Sequence, residues 1–359
     1  MKIAHIVESM EVGGAEIIVC TLCRLHRRAG AEVSVHCLVR KGSLGCQLEE
    51  EGVPVYLHGR QGKLQLARSL YRGFRASAPD VVHCHNAFAT TWGAPAARLA
   101  GVKAIVSTRH GLVSPPHPWK REVPFWLAAR CCARVVAVCD ATGRNLAIGP
   151  GAIPTKLLTI RNCAAPAHPG EGPTQICKSG LTLITVARLA PPKDHAGLLH
   201  AVALASPQAP DLHLWIVGNG VNAPALHGLA SELGIEKRVE FLGERHDVAE
   251  WLAAADLFVL SSYSEGVPIS LLEALAAGLP VIVTDVGGMP EIARLSGAGT
   301  IVPTGDPQAL ADAILRHAAS RDKLAALGAR ARSSYEQYFH PERMAMDYLR
   351  LYQQCLTTR

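Results

Sequence analysis

The stretch Ser264-Glu265-Gly266-Val267-Pro268-Ile269-Ser270-Leu271-Leu272-Glu273-Ala274-Leu275-Ala276-Ala277-Gly278-Leu279-Pro280 reads as a loop, a short helix and the entry to a strand. Proline suits the first helical position and glycine the C-terminal cap, which places the helix between Pro268 and Gly278. Glu265 precedes the helix and Glu273 sits in its second turn, so the two can hold opposite ends of an extended ligand. The amides at the helix start, around Gly266, Val267, Pro268 and Ile269, would face that ligand's phosphates. Glu273 has almost only apolar neighbours in sequence, and a carboxylate buried among them needs a partner. Leu257–Leu260 before this stretch and Pro280–Thr284 after it read as buried strands. The whole is then one strand–loop–helix–strand step of a parallel sheet.

The same alternation extends upstream. Leu181–Val186, Leu212–Val217 and Val239–Leu242 read as strands separated by helices. Before them come Lys2–Val7, Ala31–Val39, Val53–Leu57, Asp80–His85, Ala104–Thr108 and Arg134–Cys139. Helical spacing appears between strands, as at Ile17, Ile18, Leu22 and Leu25. Ala164–Gly180 holds three prolines and three glycines and breaks the pattern, which marks a domain junction. Two α/β units in tandem are expected, over 1–165 and 166–340. Arg343–Cys355 reads as a last amphipathic helix, with Met344, Tyr348, Leu349 and Tyr352 on its apolar stripe.

Hydrophobic residues make up 49% of the 359 and charged residues 18%, a composition that builds cores rather than disorder. The first apolar run, Ile3–Val7, is too short for a signal sequence or a membrane span and is followed by Glu8, so a cytoplasmic protein is expected. Cys20 and Cys23 form a CxxC, but no second pair follows at zinc-ligand spacing. The cysteines read as reduced core thiols. Residues 1–163 carry 21 Lys and Arg against 10 Asp and Glu, a balance of +11, which leaves −5 for the rest of the chain. A basic first half suits an anionic membrane surface or a phosphate-bearing acceptor. Nucleic acid is not expected as a partner, because the sequence carries no motif for it. Two segments suit peripheral contact with the inner face of the cytoplasmic membrane. One is the helix Lys63–Arg75, with Arg68, Arg72 and Arg75 on one stripe. The other is Trp119–Trp126, where cations sit beside aromatics; the alternative for both is a solvated basic face with the aromatics buried.

Ligands of open α/β sheets bind at the carboxyl ends of the strands, so the loops there are the candidate site. Gly13 and Gly14 precede a helix and let its amides approach an anion, or simply form a tight turn. Their spacing is not GxGxxG, which argues against a dinucleotide. His83-x-His85-Asn86 reads as packed, hydrogen-bonded histidines. His110, at a strand exit before Gly111, is the better site candidate. Arg188 and Lys193 lie just past a strand and could clamp a diphosphate as it leaves. Gly218-Asn219-Gly220 admits a base or ribose, or forms a turn.

Together these elements resemble the retaining family 4 glycosyltransferases of the GT-B fold. Glu265 and Glu273 match the family's Glu-x7-Glu. Ala277–Ile282, Asp285–Glu291, Val186-Ala187-Arg188-Leu189 with Lys193-Asp194, Gly13–Glu16 and His110-Gly111 match its other elements. The resemblance implies two Rossmann-like domains facing across a cleft: an acceptor-binding one, 1–165, and a nucleotide-sugar-binding one, 166–340. It also implies a helix over 341–359 that crosses back to the first. By resemblance, Arg188 and Lys193 hold the diphosphate, Glu265 the sugar hydroxyls and Glu273 the ribose. His110 lies by sugar and acceptor. The donor is a UDP-sugar first and a GDP-sugar second. The acceptor is a saccharide or a lipid-linked one, in envelope, exopolysaccharide or glycolipid synthesis. Neither metal nor cofactor is expected, consistent with the lack of an Asp-x-Asp motif. Ala187, Pro268 and Asn162-Cys163-Ala164-Ala165 depart from the family pattern. The alternatives on the same fold are a nucleotide-sugar 2-epimerase and a non-catalytic nucleotide-sugar-binding protein.

Overall fold

Strand β1 (Lys2–Ser9) buries five residues in succession, Ile3 to Val7, because helices cover both faces of the parallel sheet it belongs to. The structure, a computed structural model, describes residues 1–59, 62–112, 119–149, 151–166 and 180–357. The expected junction Ala164–Gly180 therefore lies mostly outside the described residues. The chain divides into two units, 1–162 with 341–359, and 163–340.

In the first unit β1 is followed by α1 (Gly14–Arg28), β2 (Glu32–Arg40), α2 (Gly42–Glu50), β3 (Val55–Leu57), α3 (Lys63–Ser77) and β4 (Val81–His85). Then come α4 (Asn86–Leu99), β5 (Ala104–Arg109), α5 (Trp119–Ala129), β6 (Arg134–Ala137), α6 (Asp140–Ala147) and β7 (Leu157–Thr159). Among the described residues the seven strands run in the order β3-β2-β1-β4-β5-β6-β7, all pairs parallel. Strand order reverses between β1 and β4, so the loops leaving these two strands part there. Such a switch point is where open sheets bind ligands.

The second unit repeats the plan. It holds β8 (Thr182–Val186), α7 (His195–Ala205), β9 (His213–Val217), α8 (Ala223–Glu232), β10 (Val239–Gly243), α9 (Val248–Ala254) and β11 (Leu257–Leu260). It continues with α10 (Ile269–Ala276), β12 (Val281–Thr284), α11 (Met289–Ser296), β13 (Gly299–Val302), α12 (Pro307–Ala318) and α13 (Leu324–Ser334). The order β10-β9-β8-β11-β12-β13 puts this unit's switch point between β8 and β11. Its core is aliphatic: Leu183, Leu214, Ile216 and Leu257 from the sheet, with Leu198 and Ile314 from helices.

The final helix, α14 (Pro341–Thr357), belongs to the first unit and packs on α1 and β5. It buries Met344, Ala345, Tyr348, Leu351 and Tyr352. Leu351 takes the buried place expected for Leu349, which is half-exposed. Two details depart from the sequence reading. Pro268 is the N-cap of α10 rather than its first helical residue, since its backbone is extended at ψ 126°. Phe125 and Trp126 are 0% and 1% exposed, packed with Ala129, Val135 and Leu146. This corrects the expectation that Trp119–Trp126 offers these aromatics to lipid: α5 turns them into the core.

Candidate active site

Three loops converge on the switch point of the second unit. The loop after β8 carries Arg188 and Lys193, and Ser261 clamps it to the exit of β11 by donating to the Asp194 carbonyl at 2.9 Å. Asp194 caps α7, its side chain accepting from the Gly197 amide at 3.0 Å. Its φ of +49° is one that aspartate tolerates better than most residues. The second loop, Gly218-Asn219-Gly220, is zipped to the first: Leu189 N–H donates to Asn219 O at 3.0 Å and Asn222 N–H to Leu189 O at 2.9 Å. A Cβ on Gly218 or Gly220 would collide with the backbone of Ala187 or Leu189. These glycines are needed for loop-against-loop packing, a reason the sequence reading missed.

The third loop, after β11, carries Ser262 and Glu265. Lys193 Nζ pairs with Glu265 Oε1, which also accepts from Ser262 Oγ at 2.8 Å. Lys193 and Glu265 are therefore one charge-compensated group. Arg188 is exposed, and its guanidinium has no partner among the described residues. Gly266 O accepts from Gly288 N–H at 2.8 Å, which ties the start of α10 to the loop after β12. Val267 is half-buried, while Pro268 and Ile269 are buried. Gly278, at φ +76°, ends α10 in a Schellman motif, with Gly278 N–H on Leu275 O and Leu279 N–H on Ala274 O. Glu273 is half-buried, and its carboxylate has no hydrogen-bond or ion-pair partner among the described residues. Burial alone pushes its carboxyl above the usual range. A partly desolvated carboxylate left unpaired has open capacity to accept a hydrogen bond.

Gly13, Gly14 and His110 lie in the first unit. Gly13 is the extended N-cap of α1, and a Cβ there would run into the Glu16 carboxylate. His110 sits beyond β5. Its backbone N–H donates to Asn86 Oδ1 at 3.0 Å and its Nε2 lies 3.0 Å from His85 Nδ1. Burial lowers the His110 ring to about 4. The preceding Arg109 is buried, pairs with buried Glu122 at 3.1 Å and stacks on Phe125.

Sequence reasoning missed the extent of the histidine cluster behind His110. His83 lies 2.7 Å from both Tyr352 Oη and Thr108 Oγ1, and His26 Nε2 lies 3.1 Å from the Ala345 carbonyl. His5, inside β1, contacts His85. Ring nitrogens of His5, His83 and His85 lie within 4.8 Å of one another, a spacing that could also suit a metal ion. The strand alternation placed His83 and His85 on one face, but nothing in the sequence tied His5 and His26 to them. Ser261 and Ser262 carried a usable signal: paired hydroxyls at a strand exit.

Two family models match the chain. "Glycosyltransferase Family 4" matches residues 12–164 and "Glycosyl transferases group 1" residues 173–334. An Escherichia coli UDP-Gal:alpha-D-GlcNAc-diphosphoundecaprenol alpha-1,3-galactosyltransferase is 29% identical over 265 residues, 69% of this chain and 68% of the relative. The N-acetyl-alpha-D-glucosaminyl L-malate synthase of Bacillus anthracis is 37% identical over 142 residues, 40% of this chain and 37% of its own length. The crystal structure of Anabaena HepE in complex with UDP shares the fold, with a TM-score of 0.88, 23% identity, and coverage of 99% of this chain and 100% of that one.

Burial holds His5 at about 3 and His26 at about 4, and it pushes His83 and His85 well down, so all four stay neutral in the folded state. In the unfolded chain they titrate near 6.5. Below that pH the unfolded state binds more protons than the folded one. The stability these groups preserve is therefore complete above about pH 7 and is lost as pH falls from ~6.5 toward the folded values. Each fully buried imidazole costs about 1.4 kcal/mol per pH unit in that window. Amide hydrogen exchange of β1, β4 and β5 between pH 7.5 and 5 should show the first unit losing most of its protection. Protection free energies independent of pH across that range would contradict the burial of these rings as neutral groups.

Proposed function

This chain belongs to the family 4 glycosyltransferases, and we propose that it moves a sugar from a uridine-diphosphate donor to a saccharide or lipid-linked acceptor, with retention of anomeric configuration and without a metal. The observation that carries this reading is the pairing of Lys193 with Glu265 across the β8/β11 switch point, beside unpaired Arg188 and Glu273. A nucleotide-sugar carries the complements of all four. Its diphosphate suits Arg188 and Lys193, its sugar hydroxyls Glu265, and its ribose hydroxyls Glu273. The chemistry follows from charge. Breaking the anomeric C–O bond leaves negative charge on the departing diphosphate. Arg188, Lys193 and the positive end of α10 would stabilise that charge, with the diphosphate replacing Glu265 as the partner of Lys193. Support for uridine comes from the donor named for the E. coli relative and from the UDP held by HepE. The undecaprenol-linked acceptor in the same relative's name supports a lipid-linked acceptor, with polysaccharide or glycolipid synthesis as the setting. In this reading the first unit binds acceptor, with His110 beside it.

Docking on an anionic membrane is the second part of the proposal. On α3, Leu66, Leu70 and Phe74 face the core, while Arg68, Arg72 and Arg75 are exposed. Leu64 and Tyr71 on the same helix and Tyr56 and Leu57 on β3 are exposed too, the mixture of cations and apolar groups that an anionic interface binds. Among the described residues no helix is long and apolar enough to cross a membrane.

Arg188→Ala and Lys193→Ala should each lower release of UDP from the cognate UDP-sugar by roughly two to three orders of magnitude. EDTA should leave the wild type active, and the product should keep the donor's anomeric configuration by NMR. Near-normal turnover in both variants, or an absolute need for Mg²⁺ or Mn²⁺, would sink the clamp. Sedimentation with phosphatidylglycerol vesicles at low salt should carry the protein down, and high salt or reversal of Arg68, Arg72 and Arg75 should free it. Protein that stays in the supernatant at low salt would overturn the docking.

A further inference from the structure

The exit of β5 is fastened residue by residue to different elements of the first unit. Thr108 Oγ1 lies 2.7 Å from His83 Nε2 on β4 and 3.0 Å from Tyr348 Oη on α14. Arg109 Nη2 donates to Glu122 Oε1 on α5 at 3.1 Å. The Arg109 guanidinium carbon lies 4.6 Å from the centre of the Phe125 ring, one turn further along the same helix. His110 N–H donates to Asn86 Oδ1 at the start of α4, and the His110 ring meets that of His85, the N-cap of the same helix. Successive side chains of an extended chain point to opposite faces. Thr108 and His110 therefore share one face, and of the three residues Arg109 is the one that anchors the exit on the other.

The Arg109–Glu122 pair is a poor device for stability. Both side chains are nearly out of water, 9% and 3% exposed. Among the described residues one hydrogen bond joins them, where a guanidinium fork and a carboxylate can make two. Arg109 Nη1 and Glu122 Oε2 are buried and have no partner among the described residues. Apolar residues of similar volume often replace a buried ion pair with no loss of stability, and each orphaned polar atom adds to the cost of keeping it. What the pair supplies, and an apolar contact does not, is direction. A planar guanidinium held at its edge by a carboxylate and on its face by a phenyl ring is fixed against both rotation and sliding. His110 is the next residue in the chain, so a shift at Arg109 is passed on to it directly.

We propose that Arg109 and Glu122 are positioning residues for His110: with Phe125 they fix the exit of β5 from the face opposite the one on which Asn86 and His85 hold it. This rests on the reading of His110 as the residue beside the acceptor. Arg109 and Glu122 touch no reacting atom in this arrangement and act through the main chain of β5. The demand for such a clamp comes from the chemistry. Displacing a reacting group by about 1 Å costs on the order of a hundredfold in rate. Asn86, at a φ of +67°, grips the His110 backbone from one side. Arg109 opposes that grip, so the main chain at 109–110 is held between α4 and α5.

Two full-length variants test the clamp. Arg109→Met/Glu122→Met removes both charges together and leaves no buried charge alone. Arg109→Lys keeps the charge and loses the planar fork and the stack on Phe125. The first readout is amide hydrogen exchange by NMR without substrate, so it does not depend on whether glycosyl transfer is the activity. In both variants the His110 N–H should exchange at least about tenfold faster, while the amides of Val82 and Val106 inside β4 and β5 keep their wild-type protection. The second readout is kinetic. Turnover of the UDP-sugar that the wild type uses should fall by roughly ten- to a hundredfold in the double variant and less in Arg109→Lys, with the affinity for UDP unchanged by calorimetry. Wild-type exchange at His110 in a folded variant would overturn the proposal. So would loss of protection at Val82 and Val106 along with His110, because the pair would then support the fold as a whole. Faster exchange at His110 with wild-type turnover would uphold the clamp and overturn the reading of His110 beside the acceptor. If the double variant does not fold, Arg109→Lys decides both readouts.

Discussion

Lys193 and Glu265 meet because the strand order of the second unit reverses between β8 and β11, which lie side by side in parallel. Each lies in the loop that follows one of those strands, and 72 residues of chain separate them. Both are mostly buried, with side chains 23% and 11% exposed, so neither charge is adequately hydrated alone. The pair, with Ser262 and the Ser261 clamp, makes one unit of two loops that the strands merely deliver side by side. Gly218 and Gly220 bring a third loop into contact because a side chain at either position would strike the first. The positions of Arg188 and of the start of α10 follow from that assembly. A ligand rich in phosphates and hydroxyls offers Lys193 and Glu265 replacement partners, whereas a purely apolar ligand would leave them as they are.

Much of this was legible in the sequence, for identifiable reasons. Buried parallel strands such as β1, β8 and β11 are mostly apolar runs, and the loops after them carry the charges and glycines. β3 came out shorter than expected, starting at Val55, since Pro54 has no N–H to contribute to a ladder. The edge strands β7 and β13 were missed: one has three residues and the other opens on glycine. The aromatics of α5 were misjudged because cations beside Phe125 and Trp126 in sequence say nothing about which face of a helix turns inward. Glu273 shows the opposite case. An acidic residue within an apolar helix is an anomaly that pattern alone exposes, and the structure leaves it half-buried and unpaired.

The histidines mark the limit of that approach. His5, His26, His83, His85 and His110 stand on β1, α1, β4 and the loop after β5, and Tyr348 and Tyr352 reach them from the far end of the chain. Period-two alternation on one strand groups His83 with His85, but grouping the rest requires strand order, with β1 beside β4 and β4 beside β5. The cluster is then a polar core in which every ring needs a hydrogen-bond partner and none can carry charge cheaply. Its dependence on α14 gives the last helix a role beyond covering apolar surface.

We propose that the second unit divides a nucleotide-sugar between two glutamates, Glu273 for the nucleotide and Glu265 for the sugar. Calorimetry with UDP and with UDP-sugars, on the wild type and each alanine variant, tests it directly. Glu273→Ala should weaken binding of UDP itself, while Glu265→Ala should bind UDP as the wild type does and lose the added affinity and rate that the sugar confers. Equal loss of UDP affinity in both variants, or a wild type that binds no UDP, would contradict it.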